Sequence, residues 1–392
     1  MARLPSLRRE AAEDAVHTRN ADLVRMTRQI MEVGPHIGEV ARRTGVFKET
    51  LRYRFHKYFL QRGFVVQANL DYQKLGLKRL VIIAKVAPVF EQHAVAIMSA
   101  LSEMCYLTGF METTLEGLYI MQVTVPSELR EECGGLYGRL QEIGIFTEMQ
   151  IQSFEEVRSV PMKVEYYDFS DGSWAYDWQG EEIKGTPLVP SGRAEVEKYD
   201  LSDLLIIKEL NIDASQTLVA IARKLNISNK TLQHHYKSHV LGRGLVKSYK
   251  ILWQGTHYNT KTEKAESKRH TYLCIALLVT GTTDYQRAKL LANLNQLPFL
   301  WFEASDPNYY AEFFVPIASY TEFLKRIRAL AVRTGTRPQL FILDQSKALR
   351  FTIAHRLYNR EKRKWQLNTA DVITRFENLV VNVNNSTGGA SF

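Results

Sequence analysis

Three clusters of basic side chains carry most of the chemistry this sequence can offer. Seven Lys and Arg lie between Arg42 and Arg62 (Arg42, Arg43, Lys48, Arg52, Arg54, Lys57, Arg62) against one acid, Glu49. Five more, Arg223, Lys224, Lys230, Lys237 and Arg243, share their stretch with three His and no acid. The third comprises Lys347, Arg350, Arg356, Arg360, Lys362, Arg363 and Lys364, opposed by Glu361. Solvating charge would scatter, whereas clustered cations suit a polyanion, and the net charge of +9 over 392 residues agrees. Other chemistries are thinner. His235 and His239, at i and i+4, have metal-ligating spacing, but no third ligand lies nearby, so they read as a polar helix face with no metal. No phosphate-cradling Gly loop, Gly-x-Ser-x-Gly elbow or His-Glu-x-x-His helix occurs. The expectation is therefore no catalysis and no cofactor.

The remaining composition sets the class. Cys105, Cys133 and Cys274 are odd in number and scattered, which suits a reducing compartment. The longest apolar run, Tyr272 to Val279, is far short of a membrane span, and the N-terminus shows no secretory h-region. A soluble, cytoplasmic, multi-domain chain is expected, with no membrane partner.

An internal repeat accounts for two of the clusters. At an offset of 181 residues, ten identities fall in the 44 gapless positions from Asp22 to Val65, among them Asp22/Asp203, Ala41/Ala222 and Gly63/Gly244. Each copy reads as three short helices. Leu218, Ile221, Ala222 and Leu225 are spaced as one buried face, and Ile37, Val40, Ala41 and Thr44 repeat the spacing. Gly45 and Asn226 then supply the left-handed residue of a tight turn. Helix, turn, helix places the next helix in a DNA major groove. Its polar face carries Lys48, Thr50, Arg52, Tyr53, Arg54, His56 and Lys57 in the first copy, and Asn229, Lys230, Gln233, His234, His235 and Lys237 in the second. Arg can fork onto guanine, Asn or Gln onto adenine, and Lys and His suit phosphate. The β-formers after Gly63 and Gly244 suit a wing strand.

Behind each head the period alternates as βαββαβ: strands at Arg79–Val86, Tyr106–Thr113, Leu118–Val125 and Ile145–Val157, then again from Tyr272–Val279 to Gln339–Leu343. The fold class is α+β, two winged helix-turn-helix domains each followed by a ferredoxin-like domain. The expected division is an N-terminal extension (1–20), first winged helix (21–75), first ferredoxin-like domain (76–160), aromatic hairpin and linker (161–198), second winged helix (199–256), second ferredoxin-like domain (270–346) and basic C-terminal extension and tail (347–392). Each ferredoxin-like sheet has a helix-free face, so the two domains should pair, within the chain or across a homodimer, through Tyr106–Val125 and Leu300–Val315. The late cluster Arg356–Lys364 reads as a terminal helix, touching DNA or solvated, and Asn384–Phe392 as a disordered tail.

The run Tyr199-Asp200-Leu201-Ser202-Asp203 through Ile207, Leu210, Asp213-Ala214, Ile221-Ala222, Leu225 and Ser228 resembles the opening signature of the Lrp/AsnC (leucine-responsive, feast/famine) transcription regulators. The chain is similar to a doubled member over roughly 20–160 and 199–345, most like archaeal relatives. The resemblance implies a winged helix followed by a dimerising RAM-like domain, double-stranded DNA as partner and a small-molecule effector, often an amino acid. Departures are Phe47 in place of the recognition-helix Ser, and Gly117-Leu118-Tyr119-Ile120 and Asn308-Tyr309-Tyr310-Ala311 in place of a Gly-x-Tyr-Asp-like turn. The resemblance extends to siroheme decarboxylases, which imply a His/Arg-rich stretch running into an Asn-x-Trp-Phe-like strand. Here His270-Thr271-Tyr272-Leu273 lacks those groups and Trp301-Phe302 lacks the preceding Asn. The reading is a sequence-specific DNA-binding regulator, with such an enzyme or a protein–protein adapter as the alternatives.

Overall fold

The computed structural model describes residues 20–169, 171–178, 195–253, 256–259, 264–267 and 272–388. The chain opens with α1 (20–33), α2 (Ile37–Thr44) and α3 (Lys48–Tyr58). Leu23, Met26 and Ile30 are buried with Val40, Leu51 and Phe55, and Gly45 ends α2 at φ 70°. Next come β1 (Val65–Leu70), β2 (Leu77–Val86), α4 (Ala94–Met104), β3 (Leu107–Thr113), β4 (Leu118–Pro126), α5 (Arg130–Glu142), β5 (Phe146–Phe154) and β6 (Glu156–Ser159). The second half repeats the order: α6 (Leu201–Ile212), α7 (Leu218–Leu225) and α8 (Asn229–His234), which widens into a π-helical stretch (His235–Leu241). Then come β7 (Val246–Leu252), a hairpin of β8 (Thr256–Asn259) and β9 (Lys264–Ser267), β10 (Tyr272–Val279), α9 (Asp284–Leu294), β11 (Leu300–Ser305), β12 (Tyr309–Pro316), α10 (Tyr320–Thr334) and β13 (Gln339–Arg350). The fold is α+β, with helix-turn-helix heads and ferredoxin-like βαββαβ units.

Two long-range pairings shape the molecule. The nine-stranded sheet runs β5-β2-β4-β3-β13-β10-β12-β11-β6. Its end strands β5 and β6 are separated by Glu155 alone, so one stretch of chain pairs first with β2 and then with β11, and the sheet closes on itself. β13 does the converse, pairing with β10 and then with β3. The helix-free faces thereby turn inward on each other. Cys274 Sγ lies 3.8 Å from Met111 Sδ, and the Phe154 and Tyr310 rings are 6.2 Å apart. The opposite face of β10, with Ile275, Leu277 and Val279, packs on Leu290, Leu294, Phe323 and Ile327 of α9 and α10.

The second pairing corrects the expected wings. β1 and β7 do not build a wing for each head. They pair antiparallel with one another, Val65 opposite Leu252 and Gln67 opposite Lys250, in a single ribbon joining both heads. Around it His36 Nε2 meets Tyr236 OH at 2.6 Å, and Ala214 N–H donates to Val66 O at 2.7 Å. Burial lowers the His36 pKa, because its ring is enclosed at this seam.

The aromatic segment packs inward, with Trp174 5.5 Å from Trp253 and 5.5 Å from Phe299. The late basic stretch is not a helix. Residues Tyr358–Asn359 (β14) and Lys364–Trp365 (β15) form a hairpin, because Tyr358 and Trp365 are apolar anchors that bury. Trp365 Nε1–H donates to Tyr199 OH at 2.8 Å, and that hydroxyl donates to Leu75 O at 2.7 Å. Helix α11 (Thr369–Gly388) follows, so most of the expected disordered tail is helical. Its last residues, 389–392, lie outside the described residues, as do 1–19 and the linker at 186–192. Among the described residues no helix is long and apolar enough to cross a membrane, and the three cysteines are buried and unpaired.

Gly34 tests the seam between the heads. It sits at φ 82°, and a Cβ there would stand 2.7 Å from the Tyr249 ring, whereas Gly45 at φ 70° has open space around it. Gly45→Ala should cost about 1–2 kcal/mol for its left-handed backbone. Gly34→Ala should cost about 1–3 kcal/mol more, because the Tyr249 ring must move. Urea unfolding of both variants measures the difference, and equal losses would show that the seam is loose.

Candidate functional site

A cavity of about 70 Å³ lies where the β1–β7 ribbon crosses the inner face of the closed sheet. Strand register places its walls. β3 and β11 carry the same irregularity, at Thr108 and Trp301 respectively. Just past it Gly109 stands opposite Gln122, and Phe302 opposite Glu312. Arg350 of β13 pairs with Gly109, and Ser159 of β6 with Phe302. From above, Gln67 and Lys250 close the cavity as a cross-strand pair.

The walls hold three cations and little to neutralise them. The Arg350 guanidinium lies 3.9 Å from the Trp301 ring centre, and Lys250 Nζ 5.0 Å from the same ring. Arg79 rests on Tyr72 and Phe302 at 5.0 and 5.3 Å, and donates to Gln122 Oε1 at 2.9 Å. Its Nε is buried without a hydrogen-bond partner among the described residues. The one buried acid beside them, Glu312, is held by neutral donors: Trp301 Nε1–H at 3.0 Å, Tyr310 OH at 2.6 Å and the Gln122 amide. Aromatic faces thus stand in for counter-ions, which offsets only part of the cost of burying charge. Burial, reinforced by Arg350 and Arg79, pulls the Lys250 pKa down to about 7, and burial likewise lowers that of Arg350. Such a cavity suits an anionic group of carboxylate size, and at neutral pH Lys250 can give or take a proton there.

None of the residues expected to contact DNA reaches this cavity, whereas Arg350 of the third basic cluster stands in its wall. Lys48, Thr50, Arg52, Tyr53, His56 and Lys57 are exposed on α3, and Asn229, Lys230, Gln233, His234 and Lys237 are exposed on the second head. Two positions turn the other way. Arg54 folds back onto Asp22, Nη1 to Oδ2 2.9 Å, and His235 Nδ1 lies 2.8 Å from Asp203, so neither belongs to an outward face. Each borders the buried stripe of its helix, and an acid on the first helix of the head, half-buried Asp22 or buried Asp203, captures it. The cavity residues were missed because they sit inside strands. Their signal was a lone charge in an apolar run: Arg79 before Leu80-Val81-Ile82, Lys250 before Ile251-Leu252, and Glu312 between Ala311 and Phe313.

No family model matches this sequence, and no curated protein matches it. Among solved structures, siroheme decarboxylase NirDL is similar over 91% of this chain and 99% of its own, with TM-score 0.53 and 12% identity. The same enzyme in complex with an iron-uroporphyrin III analogue matches over 92% and 99%, with TM-score 0.51 and 12% identity. E. coli AsnC is similar over 34% of this chain and 89% of its own, with TM-score 0.27 and 18% identity. At such identities the likeness is one of fold. The expectation of no catalysis does not stand, because the solved structures that share the fold over 91–92% of this chain are those of an enzyme.

Lys250 gives this site a pH signature. The unfolded chain keeps that proton up to about 10.5, the ordinary lysine value, the folded chain only to about 7. Between these values the unfolded state binds more protons, so this group makes stability rise with pH across that window. Lys250→Met should remove that part of the slope, and urea unfolding of both proteins at pH 7, 8 and 9 would show it. Parallel pH profiles would mean that Lys250 keeps its charge on folding.

Proposed function

We propose that this chain binds a carboxylate-bearing substrate in the cationic cavity and acts on it as a decarboxylase. The observation that carries the reading is the stack of Lys250 and Arg350 around Trp301, with Arg79 alongside and one buried acid already satisfied by neutral donors. The full-length likeness to siroheme decarboxylase supports the reaction class. Arg79 and Arg350 would fix a carboxylate. Loss of CO2 leaves an electron pair on carbon, and Lys250 is the group placed to supply the replacing proton. The cavity, about 70 Å³, takes a carboxylate arm and not a tetrapyrrole ring, so a macrocyclic substrate would require the β1–β7 ribbon to lift.

Titration with iron-uroporphyrin III followed by absorbance, with CO2 release measured in parallel, tests this. Binding should weaken about tenfold or more in Arg350→Met, an ion-pair loss of roughly 1.4 kcal/mol or above. Lys250→Met should retain binding and lose turnover. If no spectral change and no CO2 appear, and small dicarboxylates bind wild type no better than the Arg79→Met/Arg350→Met variant, the reading fails.

A second reading, sequence-specific DNA binding, is favoured by one observation: Lys48, Thr50, Arg52, Tyr53, His56 and Lys57 stand exposed along α3 with Glu49 the lone acid. Among the described residues Arg52 is engaged only by Glu49, at the surface. If it reads a base, Arg52→Ala should weaken a selected site by ~1–3 kcal/mol. If it neutralises a phosphate instead, the slope of log K against log salt should fall by about 0.9. Selection from a genomic DNA pool provides the site, and failure to enrich any motif would remove this reading.

A further inference from the structure

The second head holds three groups that neither reading uses. Asp203, near the start of α6, is fully buried. Its Oδ2 accepts the Asp200 N–H at 3.0 Å, half of the capping box that begins the helix. That bond orients Oδ1 towards the recognition helix, where His235 Nδ1 stands 2.8 Å and His239 Nδ1 3.1 Å away. One ligand atom from each of the three residues falls within 4.8 Å of the others. The third ligand that the sequence did not show next to the imidazoles comes from the preceding helices, 32 residues before His235.

Two features separate this cluster from a buried ion pair. At the 181-residue offset, the first head fills the places of Asp203, His235 and His239 with Asp22, Arg54 and Tyr58. There the Arg54–Asp22 pair, 2.9 Å, suffices to tie the first helix to the recognition helix. The second head gives up that strong pair for two imidazoles on one carboxylate, with His239 Nδ1 also 3.2 Å from Oδ2. In addition, the helix widens to π geometry over His235–Leu241. Five-residue hydrogen bonds bring side chains four apart closer to one line, and the two rings lie 4.8 Å apart. Such turns concentrate at functional sites.

We propose that Asp203, His235 and His239 bind a divalent cation of the zinc class. Ligand atoms about 2.0–2.1 Å from a tetrahedral zinc stand roughly 3.3 Å apart, near the 2.8 and 3.1 Å that separate Asp203 Oδ1 from the two imidazole nitrogens, and all three ligand atoms lie within 4.8 Å of one another. Two imidazole nitrogens with one carboxylate oxygen select zinc, cobalt or nickel over calcium and magnesium, which prefer oxygen. Without the ion each imidazole donates Nδ1–H to Oδ1. With it each ring carries its proton on Nε2, leaving the Nδ1 lone pair for the metal. The backbone N–H of Asp200 acts as the outer partner that orients the carboxylate. Nearby, exposed His234 lies 5.3 Å from the His239 ring and Asp200 Oδ1 3.9 Å from His235 Nδ1. A bound ion would clamp α6 to the recognition helix of this head alone.

The test uses the full chain, stripped with a chelator and titrated with Co(II). One Co(II) per chain should bind with the visible absorption of a tetrahedral centre, displaced by Zn(II), and zinc should raise the Tm. His239→Gln should weaken Co(II) binding about 100-fold or more, as loss of a direct ligand exceeds the 10–100-fold typical of an outer partner. Should that variant fail to fold, His235→Arg decides, because it rebuilds the pair that the first head uses. It should be folded without metal and give no cobalt band. Absence of a band in the wild type, or equal uptake by wild type and His235→Arg, overturns the proposal.

Discussion

Closure of the nine-stranded sheet is the constraint on which the rest of the molecule depends. With only Glu155 between β5 and β6, the chain cannot end one sheet without beginning to pair with the other. β13 imposes the same condition from the second half. Two antiparallel sheets are thus held face to face, and apolar residues that would be exposed in either unit alone, such as Met111, Cys274 and Tyr310, become interior. The helices are left outside, and the heads can approach the sheet only across its mouth. That is where the ribbon of β1 and β7 lies, and it roofs the cavity.

The cavity places charge where water cannot fully screen it. Arg79, Lys250 and Arg350 have flat aromatic neighbours in place of acids, and the nearby Glu312 is committed to Trp301, Tyr310 and Gln122. Cation–π contact returns about 0.5–2 kcal/mol per pair, less than desolvation removes. Three cations sharing a cleft with a single buried acid nearby support the proposed carboxylate site, where the ligand would supply further counter-charge. The lowered Lys250 pKa follows from the same deficit, and an arriving anion would raise it.

Much of the fold was legible in the sequence because its signals are local. The 3.6-residue stripe of Leu218, Ile221, Ala222 and Leu225, the left-handed Gly45 and Asn226, and the apolar run Tyr272–Val279 each follow from side chains a few positions apart. What the sequence hid is long-range. Nothing near Val65 announces that its partner is Leu252, nothing near Arg54 announces Asp22, and nothing beside His235 and His239 announces Asp203. A polar residue at the border of a helix stripe reads as outward until an acid from another helix is found beneath it. The cavity was hidden for a related reason: Arg79, Lys250 and Glu312 look like interruptions of apolar strands, and only the register that stacks them together gives them a common role.

The matching irregularities at Thr108 and Trp301 show that the cavity straddles an approximate dyad, since equivalent strand positions from the two halves meet there. Two identical subunits would furnish such a chamber with duplicate walls, and an unsymmetrical guest would have two equal poses in it. Here Thr108 answers Trp301, Gln122 answers Glu312 and Ser159 answers Arg350. The degeneracy is lifted by the covalent joining of two different halves. Under the proposed function an unsymmetrical guest would meet unlike contacts from the two halves, Trp301 where the other half has Thr108 and Arg350 where it has Ser159, so its two poses would differ in energy.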